Sequence, residues 1–361
     1  MKDILPELNH KEYIENLNKE YDIHFCHEEE AEDVIKFIEH YWRKDHIFVL
    51  SRELFDWQHY DYRNKRYNFV VAKHRKNGEI HSILGFVPTR QFDDGIEALE
   101  VWPCIWKSRD DIHVKGLGVS LYYYMKSHLE IETVSILGIS EIALSIYKHW
   151  NFSTGKIEQY YCPNMACAEE LSANRQEIPC PDKADGSWRI KQISLEEYQN
   201  LEEHHKIFTE ISKYKSKNYY INRYYNHPIY KYDFYGIIKD NNICSVFVTR
   251  ECGNGTAKCL RIVDYIGKTD NLIYVRTDLK ELMEKFGYEY IDFVVVGADS
   301  DVLKKAGFIN RKEHPETIIP NYFEPFLKKN IDLDYAFKSV DPEAMALFYK
   351  ADADQDRPNM L

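Results

Sequence analysis

The sequence predicts an α/β protein that uses one fold twice, each copy being a mixed, mostly antiparallel central sheet flanked by helices. Three observations lead to this prediction. The chain has 361 residues, more than a single hydrophobic core usually holds. Segments with the periods of strands and helices alternate through the first half. A similar order of segments recurs in the second half, as an internal repeat would produce.

The first half opens with a strand, a helix and a hairpin. Residues 22–27 (DIHFCH) are extended, and residues 28–44 place apolar side chains at helical spacing behind a run of acids that suits a helix N-terminus. Residues 67–75 and 79–90 have strand character and flank Lys-Asn-Gly, a hairpin turn signal.

A third strand, a pair of glycines and a helix follow. Residues 98–108 (ALEVWPCIWKS) are extended, and Pro103 predicts a β-bulge or an edge position there, because proline cannot donate to a strand ladder. Gly116 and Gly118 stand directly before a helix that runs to Leu129. The half closes with a buried strand, residues 133–140, and a short helix, residues 141–152.

The second half repeats this order without a second pair of glycines. Its predicted segments are strand 188–194, helix 195–211, hairpin strands 231–240 and 242–252, strand 255–267, helix 279–288, strand 290–298 and helix 299–308. Polar and proline-containing residues 163–187 predict a linker. We therefore expect domains at 1–180 and 185–340, and a tail at 341–361 that begins with a helix-like segment, 341–350.

Composition limits the possible partners. The formal net charge is −12, and no dense Lys/Arg block occurs, which disfavours binding to nucleic acids or to anionic membranes. The N-terminal residues lack a secretory apolar segment, so a cytoplasmic protein with reduced thiols is expected. Cys162, Cys167 and Cys180 lack the paired spacing of a zinc ribbon, and no metal is expected.

The glycine pair lies where the start of a helix can bind an anion. Backbone N–H groups between Lys115 and Ser120 can converge on a phosphate, and Gly116 and Gly118 permit close approach of the ligand. A Walker loop would end in Gly-Lys-Ser/Thr, which does not follow this glycine pair. A dinucleotide-binding fold would place the loop inside a parallel βαβ unit with an acidic residue downstream, and the antiparallel run before the loop argues against it. A plain glycine turn before a surface helix is the alternative.

Two motifs of this half resemble the GCN5-related N-acetyltransferase (GNAT) superfamily. Residues 113–126, HVKGLGVSLYYYMK, are similar to its acyl-CoA loop, Arg/Gln-Gly-x-Gly-x-Gly/Ala, with Lys115 and Ser120 departing from the pattern. Residues 140–152, SEIALSIYKHWNF, are similar to its later motif, Asn-x-x-Ala…Tyr-x-x-x-Gly-Phe, with Asn151 in place of the glycine. The whole pattern resembles tandem acyltransferase-like proteins of bacterial surface-polysaccharide biosynthesis.

The resemblance implies an N-acyltransferase that moves an acetyl or similar acyl group from acyl-CoA, without a metal, to an amine of the amino-sugar or nucleotide-linked amino-sugar type. Tyr147 would protonate the departing CoA thiolate; an aromatic packing residue on an amphipathic helix is the alternative. A main-chain N–H near Trp106 and Lys107 would polarise the thioester carbonyl. The second half would not bind CoA and would supply a wall for the acceptor. The CoA loop would comprise Val114, Lys115, Gly116, Leu117, Gly118, Val119 and Ser120.

Residues for the acceptor are assigned from chemistry alone. Glu100 on the third strand is the candidate general base, with His113 and Asp111 as alternatives. Asp264, an acid among apolar neighbours, is a candidate acceptor ligand; the alternative is a structural partner for an arginine such as Arg223. A second candidate for binding the acceptor is a dense set of polar residues in the tail, Asp354, Gln355, Asp356 and Arg357. The alternative is that these residues form a frayed end of the chain.

Two other functions remain open from the sequence. The altered motif residues Lys115, Ser120 and Asn151 favour a non-catalytic binding or scaffold protein with the same fold. An enzyme of the peptidyltransferase type, taking aminoacyl groups from tRNA, is disfavoured by the acidic net charge.

Overall fold

A computed structural model describes residues 17–177, 186–202, 205–210 and 212–359, without the side chains of residues 209 and 210. The chain divides into two compact units. One comprises Met1–Gly155, Asp334–Ala344 and Pro358–Leu361, and the other Lys156–Leu333 and Met345–Arg357. In the described ranges, every helix is too short or too polar to span a bilayer.

The first unit is built on one mixed sheet. Its strands are β1 (Tyr21–His27), β2 (Tyr60–Asp61), β3 (Arg66–His74), β4 (Ile80–Pro88), β5 (Glu100–Ser108), β6 (Thr133–Leu137), β7 (Ser153–Lys156) and, from far along the chain, β15 (Asp334–Ser339). Their order is β1-β3-β4-β5-β6-β15-β7, with β2 paired to β3. The helices are α1 (Ala31–Tyr41), α2 (Ile47–Leu50), α3 (Arg52–His59), α4 (Leu117–His128) and α5 (Glu141–His149), with 3-10 turns at Glu28–Glu30 and Thr89–Gln91.

The second unit has a sheet of the same kind. Its strands are β8 (Glu158–Pro163), β9 (Trp188–Ile193), β10 (Asp233–Lys239), β11 (Asn242–Asn254), β12 (Ala257–Gly267), β13 (Tyr288–Val296), β14 (Ile309–Asn310) and β16 (Phe348–Tyr349). Their order is β14-β8-β13-β12-β11-β10-β9, with β16 paired to β13. The helices are α6 (Leu195–Gln199), α7 (Lys217–Tyr220), α8 (Arg276–Phe286) and α9 (Ser300–Lys305), with a π-helix at Ile221–Tyr225 and 3-10 helices at Lys206–Glu210, Thr269–Val275 and Arg311–Glu313.

In each sheet two parallel neighbours pair only at one end. β5 and β6 pair through Glu100↔Thr133 and Val101↔Val134, and their pairing stops there. β12 and β13 pair from Lys258↔Tyr288 as far as Ile262↔Phe293. We call the gap beyond the last pair the wedge of each unit. A wedge exposes main-chain groups of both strands and can receive an extended ligand or another segment.

β5 carries the bulge predicted at Pro103. The register with β4 moves from Leu84↔Trp106 to Phe86↔Pro103, so two residues of β5 lie opposite Gly85. A bulge leaves main-chain groups without ladder partners and sharpens the local twist. The irregular part of β5 is therefore the part that borders the wedge of the first unit.

The two units do not follow the domain boundaries expected at residues 180 and 185. Both of those boundaries lie within residues 178–185, outside the described ranges. The chain leaves the first unit after Gly155, and β15 returns to that unit's sheet. Conversely, β8, expected in the first domain, pairs with β13 in the second sheet. Long-range strand pairing decides this division, and local composition does not report it.

Several predicted segments take other structures. Residues 164–177, predicted as a linker, pack into the second unit, where the N–H groups of Leu171 and Ser172 donate to the carboxylate of Glu289 at 2.8 and 2.7 Å. The helix predicted for 195–211 ends at Gln199. Residues 341–350 contain the strand β16 instead of a helix, because pairing with β13 outweighs a local helical preference.

Candidate functional site

The predicted glycine loop forms the start of α4. Gly116 has φ of 75°, the left-handed conformation that glycine adopts without strain, and the helix begins at Leu117. Among the described residues, the N–H groups of Gly118 and Val119 have no backbone acceptor. These two donors lie at the positive end of a 12-residue helix. The helix start can therefore bind an anion through its main chain.

Gly118 lies against the end of β5. A Cβ atom at this position would be 3.1 Å from Nε1 of Trp106 and 3.2 Å from Oγ of Ser108. The Trp106 indole N–H donates to the carbonyl oxygen of Gly118 at 2.9 Å. The loop therefore borders the bulged strand, and only glycine fits between them without displacement.

The remaining loop side chains have local roles. The hydroxyl of Ser120 donates to the carbonyl of Leu117 at 2.6 Å, and Leu117 is buried in the core. Val114 is half-buried and Lys115 is exposed. The Lys115 ammonium is thus the one loop side chain that faces solvent with a positive charge, and the other contributions of the loop come from its main chain.

Asn151 preserves the geometry expected of the glycine that it replaces. Its φ is 57°, in the left-handed region that asparagine tolerates better than most residues. Ser140, at the other end of α5, accepts a hydrogen bond from the N–H of Ala143 at 3.4 Å and caps the helix. At Asn151 the backbone therefore adopts a conformation that glycine also favours.

Tyr147 on α5 is the buried phenol beside β5. Its ring centroid lies 6.0 Å from that of Trp106, 5.8 Å from Trp150 and 5.0 Å from Phe152, and the side chain is 1% exposed. Among the described residues, its hydroxyl makes no hydrogen bond. Burial, reinforced by nearby Tyr122 and Cys104, raises the pKa of Tyr147 well above its ordinary value. The group stays protonated at neutral pH and can act as a proton donor.

Glu100 is buried at the paired end of β5. The hydroxyl of Ser135 on β6 donates to its Oε1 at 2.6 Å. Glu100 pairs with Thr133 one position before the last pair, Val101↔Val134, whereas Ser135 lies one position beyond that pair, on the wedge side. The bond from Ser135 fixes one oxygen of this carboxylate in place.

The alternative bases lie on the solvent side of the loop. Asp111 accepts two bonds from Arg109, at 3.0 and 2.7 Å, and this pairing lowers the pKa of the carboxyl. Lys107 is bonded to Asp110 at 2.5 Å. His113 is exposed. Neither Asp111 nor His113 is buried as Glu100 is.

In the second unit the corresponding wedge is filled by the C-terminal segment of the chain. β16 pairs with β13 through Val295↔Tyr349 and Val296↔Phe348. Beyond β16, the N–H of Lys350 donates to Val294 on β13, and the N–H of Ala351 donates to Val263 on β12, both at 3.1 Å. The segment therefore bridges the two diverging strands with its own backbone.

Asp264 is buried and ion-paired inside this unit. Nζ of Lys215 lies 2.8 Å from its Oδ2 and 2.7 Å from Oδ1 of Asp352, and the hydroxyl of Tyr224 donates to Asp264 at 2.5 Å. Burial raises the pKa of Asp264 to about 6, and Lys215 opposes the rise. The partner is a lysine; the guanidinium of Arg223 donates to the carbonyl of Ala351 instead.

The polar tail is packed into the second unit and is not frayed: Asp354 and Asp356 are buried, and Gln355 and Arg357 are half-buried. Asp356 accepts two bonds from Arg250, at 3.0 and 2.9 Å, and one from the hydroxyl of Tyr232 at 2.8 Å. The Asp354 carboxylate accepts a bond of 3.2 Å from Gln355 and one of 3.1 Å from Arg357. Both carboxylates are thus neutralised within the unit, and binding of an acceptor by these residues stays a prediction.

Sequence reasoning missed several buried cations of this unit, among them Lys215, Arg250 and Lys350. Lys215 and Arg250 hold the carboxylates just described, and Lys350 is 1% exposed with its Nζ 5.2 Å from the centroid of Tyr322. Burial and the charge of Arg261 lower the pKa of Lys350 to about 8, although Asp356 opposes them. For Lys350 the sequence signal is a charged residue flanked by aromatic and apolar ones, Phe-Tyr-Lys-Ala, a pattern that also occurs at surfaces; Arg250, between Thr249 and Glu251, lacks even this signal.

Known sequence families and curated proteins give no match to the chain. Solved structures match its fold. A GCN5-related N-acetyltransferase from Anabaena variabilis ATCC 29413 has a TM-score of 0.56 and 10% identity over 89% of this chain and 73% of that one. A conserved protein of unknown function from Enterococcus faecalis V583 has a TM-score of 0.52 and 10% identity over 89% and 73%. At such identity the likeness establishes the fold, and the expected tandem GNAT-like architecture is confirmed.

Proposed function

We propose that the protein is a cytoplasmic N-acyltransferase whose first unit binds acyl-CoA. The observation that carries this proposal is the contact between the Gly116–Gly118 helix start and the bulged strand that borders the wedge of the first unit. The second unit has a wedge of the same kind, but its own C-terminal segment fills it. This difference supports one acyl-CoA site in each chain.

The loop would bind the pyrophosphate of CoA. The N–H groups of Gly118 and Val119 would donate to phosphate oxygens, and the positive end of α4 and the exposed Lys115 would add favourable charge. The thioester arm would lie along the wedge. Main-chain donors at the bulge, near Trp106 and Lys107, would then polarise the thioester carbonyl.

Acyl transfer would proceed by attack of a neutral amine on the thioester carbon, forming a C–N bond and breaking the C–S bond. Glu100 would accept the proton that the amine nitrogen loses, directly or through water. Tyr147, which burial keeps protonated, would give its phenolic proton to the departing sulfur. The proton passes back from Glu100 to Tyr147 through solvent, which resets the site.

An amino-sugar acceptor, for surface polysaccharide, is the finer part of the proposal. The second unit has an open cleft of about 540 Å³ beside its π-helix. Aromatic walls with polar groups at the rim are suited to a sugar ring, whose C–H faces are apolar and whose edge carries hydroxyls. The walls include Tyr224, Tyr225, Tyr230, Tyr232 and Phe234, and the rim Gln192, Ser194 and Asp233. Asp264 and the paired tail residues 354–357 would support this acceptor side.

Calorimetry with CoA and acetyl-CoA tests the proposal. We expect one molecule of either ligand to bind per chain. Substitutions in the glycine loop need a matched control at another glycine. Gly186→Val serves as that control, because a Cβ at Gly186 meets no atom within 4 Å. Absence of binding at millimolar ligand would overturn the proposal. Turnover is then measured as release of free thiol with a panel of amines that includes amino sugars and their nucleotide-linked forms.

One observation favours a second candidate, a non-catalytic binding protein. The indole of Trp106 packs on Gly118 and bonds to its carbonyl, so the side chain occupies space beside the helix start. Binding of CoA without thiol release over the whole amine panel would favour this candidate over the enzyme.

A further inference from the structure

Two histidines and a glutamate converge at the end of β1, on an edge strand of the first sheet. One ligand atom from each of His24, His27 and Glu30 lies within 4.8 Å of the other two. Nε2 of His24 is 2.9 Å from Oε2 of Glu30, and the two imidazole rings are stacked with centroids 5.0 Å apart. His27 is exposed, whereas Glu30 is buried.

A β-bulge brings the two imidazoles together. Residues three apart on a regular strand point to opposite faces. The register between β1 and β3 shifts between Phe25↔Val70 and His27↔Arg66, so residues 67–69 of β3 lie opposite Cys26 alone and the pairing is irregular there. Such an irregularity turns the following side chain, and His27 thereby stacks on His24. The 3-10 turn that follows then directs Glu30 back onto both residues, with its carboxylate accepting a bond of 3.1 Å from the N–H of His27.

The surroundings of the cluster are those of a ligand set. Nδ1 of His24 is buried without a hydrogen-bond partner, and Oδ2 of Asp22 lies 3.8 Å from it. A carboxylate behind the second ring nitrogen is the usual outer partner of a metal-bound histidine. Nζ of Lys73 lies 2.8 Å from Oε1 of Glu30, and the other carboxylate oxygen, Oε2, faces His24.

We propose that His24, His27 and Glu30 bind a divalent cation of the zinc class. Two imidazole nitrogens and one carboxylate oxygen form a three-ligand set that zinc accepts, with a fourth position for water or a further ligand. Tetrahedral zinc with bonds of about 2.0 Å needs ligand atoms roughly 3.3 Å apart. The His24–Glu30 pair is already close to that spacing, so rotation of the exposed His27 side chain would complete the site. Any proton on the imidazoles is released to solvent when the metal binds.

The proposal is tested with Zn²⁺ by calorimetry and with Co²⁺ by its visible absorption on the full chain. We expect one ion per chain and the intense Co²⁺ bands of a four-coordinate site. His27→Ala should weaken binding more than the 10–100-fold that loss of an outer partner causes. The matched control is His40→Ala, which removes a histidine with 65% exposed side chain from α1. This control should bind as the wild type does.

A third variant distinguishes a pre-formed three-residue site from nonspecific metal binding to a surface histidine. Lys73→Met removes the cation that competes for Glu30, so it should tighten Zn²⁺ binding several-fold, whereas binding to His27 alone would not respond. The proposal is overturned by absence of Zn²⁺ binding, by equal binding in His27→Ala, or by no gain in Lys73→Met. None of these readouts depends on acyl transfer, so they leave the proposed function to its own test.

Discussion

The indole Nε1 of Trp106 donates a hydrogen bond of 2.9 Å to the carbonyl oxygen of Gly118. Strand β5 and the start of α4 are joined by this bond at the point where the helix offers its free N–H groups. The space between them admits no side chain at Gly118 without movement of the indole or of Ser108.

Gly118→Val should therefore abolish CoA binding. The added side chain meets Trp106 and Ser108 and blocks approach of a phosphate to the main chain, while the neighbouring core residues keep their contacts. Calorimetry gives the affinity, and the melting temperature shows whether the fold is retained. Gly186→Val is the control and should bind CoA normally. A Gly118→Val protein that binds CoA normally would contradict the assignment of the loop.

Tyr147→Phe should keep the aromatic packing and remove only the proton donor. General acid catalysis contributes on the order of 10²–10⁴ in rate, so turnover should fall by that factor with CoA affinity unchanged. The hydroxyl makes no hydrogen bond among the described residues, so the melting temperature should change little. Equal turnover of the variant and the wild type would leave Tyr147 with a packing role. Tyr123→Phe, on a ring of the same cluster, is the control.

Lys350→Met should stabilise the protein at pH 7. The pKa of Lys350 is lowered to about 8 by burial, against roughly 10.4 in an unfolded chain, a difference worth about 3 kcal/mol. Below pH 8 the Lys350 amine is protonated in both the native and the unfolded state, and the native state bears the whole free-energy cost of the buried charge. As pH rises from about 8 to about 10.4, the native amine loses its proton first, so the wild type gains stability and the advantage of methionine fades.

Denaturant unfolding at pH 7 and pH 10 measures this effect. Lys148→Met, at an exposed position of α5, is the control and should change stability little at either pH. If Lys350→Met were less stable than the wild type at pH 7, the prediction would be wrong, and the buried ammonium would be stabilised by a negatively charged partner when the protein is in solution.

Asp356→Ala should destabilise the second unit strongly. It would remove the two short bonds that Asp356 makes with the buried Arg250 guanidinium and leave it with the half-buried Glu324 at 3.5 Å, and breaking such a pair costs about 3–5 kcal/mol. Burial opposes ionisation of Asp356, but Arg250 outweighs it and lowers the pKa of the carboxyl, so the wild-type pair should persist in mild acid. Asp341→Ala, at an exposed position, is the control for urea unfolding. A loss below about 1 kcal/mol would place the tail outside the folded core.

The parts of the fold that local chemistry encodes were predictable. Pro103 marks the bulge because its missing N–H excludes a regular ladder, and Gly116 marks the helix start because its φ is positive. The partners of buried charges were not predictable. Asp264 pairs with Lys215, 49 positions away, and Asp356 with Arg250, 106 positions away. Nothing in the local pattern of either residue identifies a partner at that distance.

The bulge beside His27 was unpredictable for a related reason. The alternation of residues 22–27 indicates a regular strand, in which His24 and His27 face opposite sides. The irregular register with β3 reverses this expectation, and it arises between two strands that are separated by three helices.

The late position of β15 bears on how the chain folds as it is synthesised. A ribosome releases residues 1–155 with the central sheet of the first unit incomplete, because β15 lies beside β6 and the hydroxyl of Thr133 bonds to Ser339, 206 residues further on. The edge of β6 that pairs with β15 therefore stays unpaired until nearly the whole of the second unit has been translated. N-terminal fragments of this protein should therefore need a chaperone or aggregate, and domain-wise expression should begin by restoring residues 334–344 to the first unit.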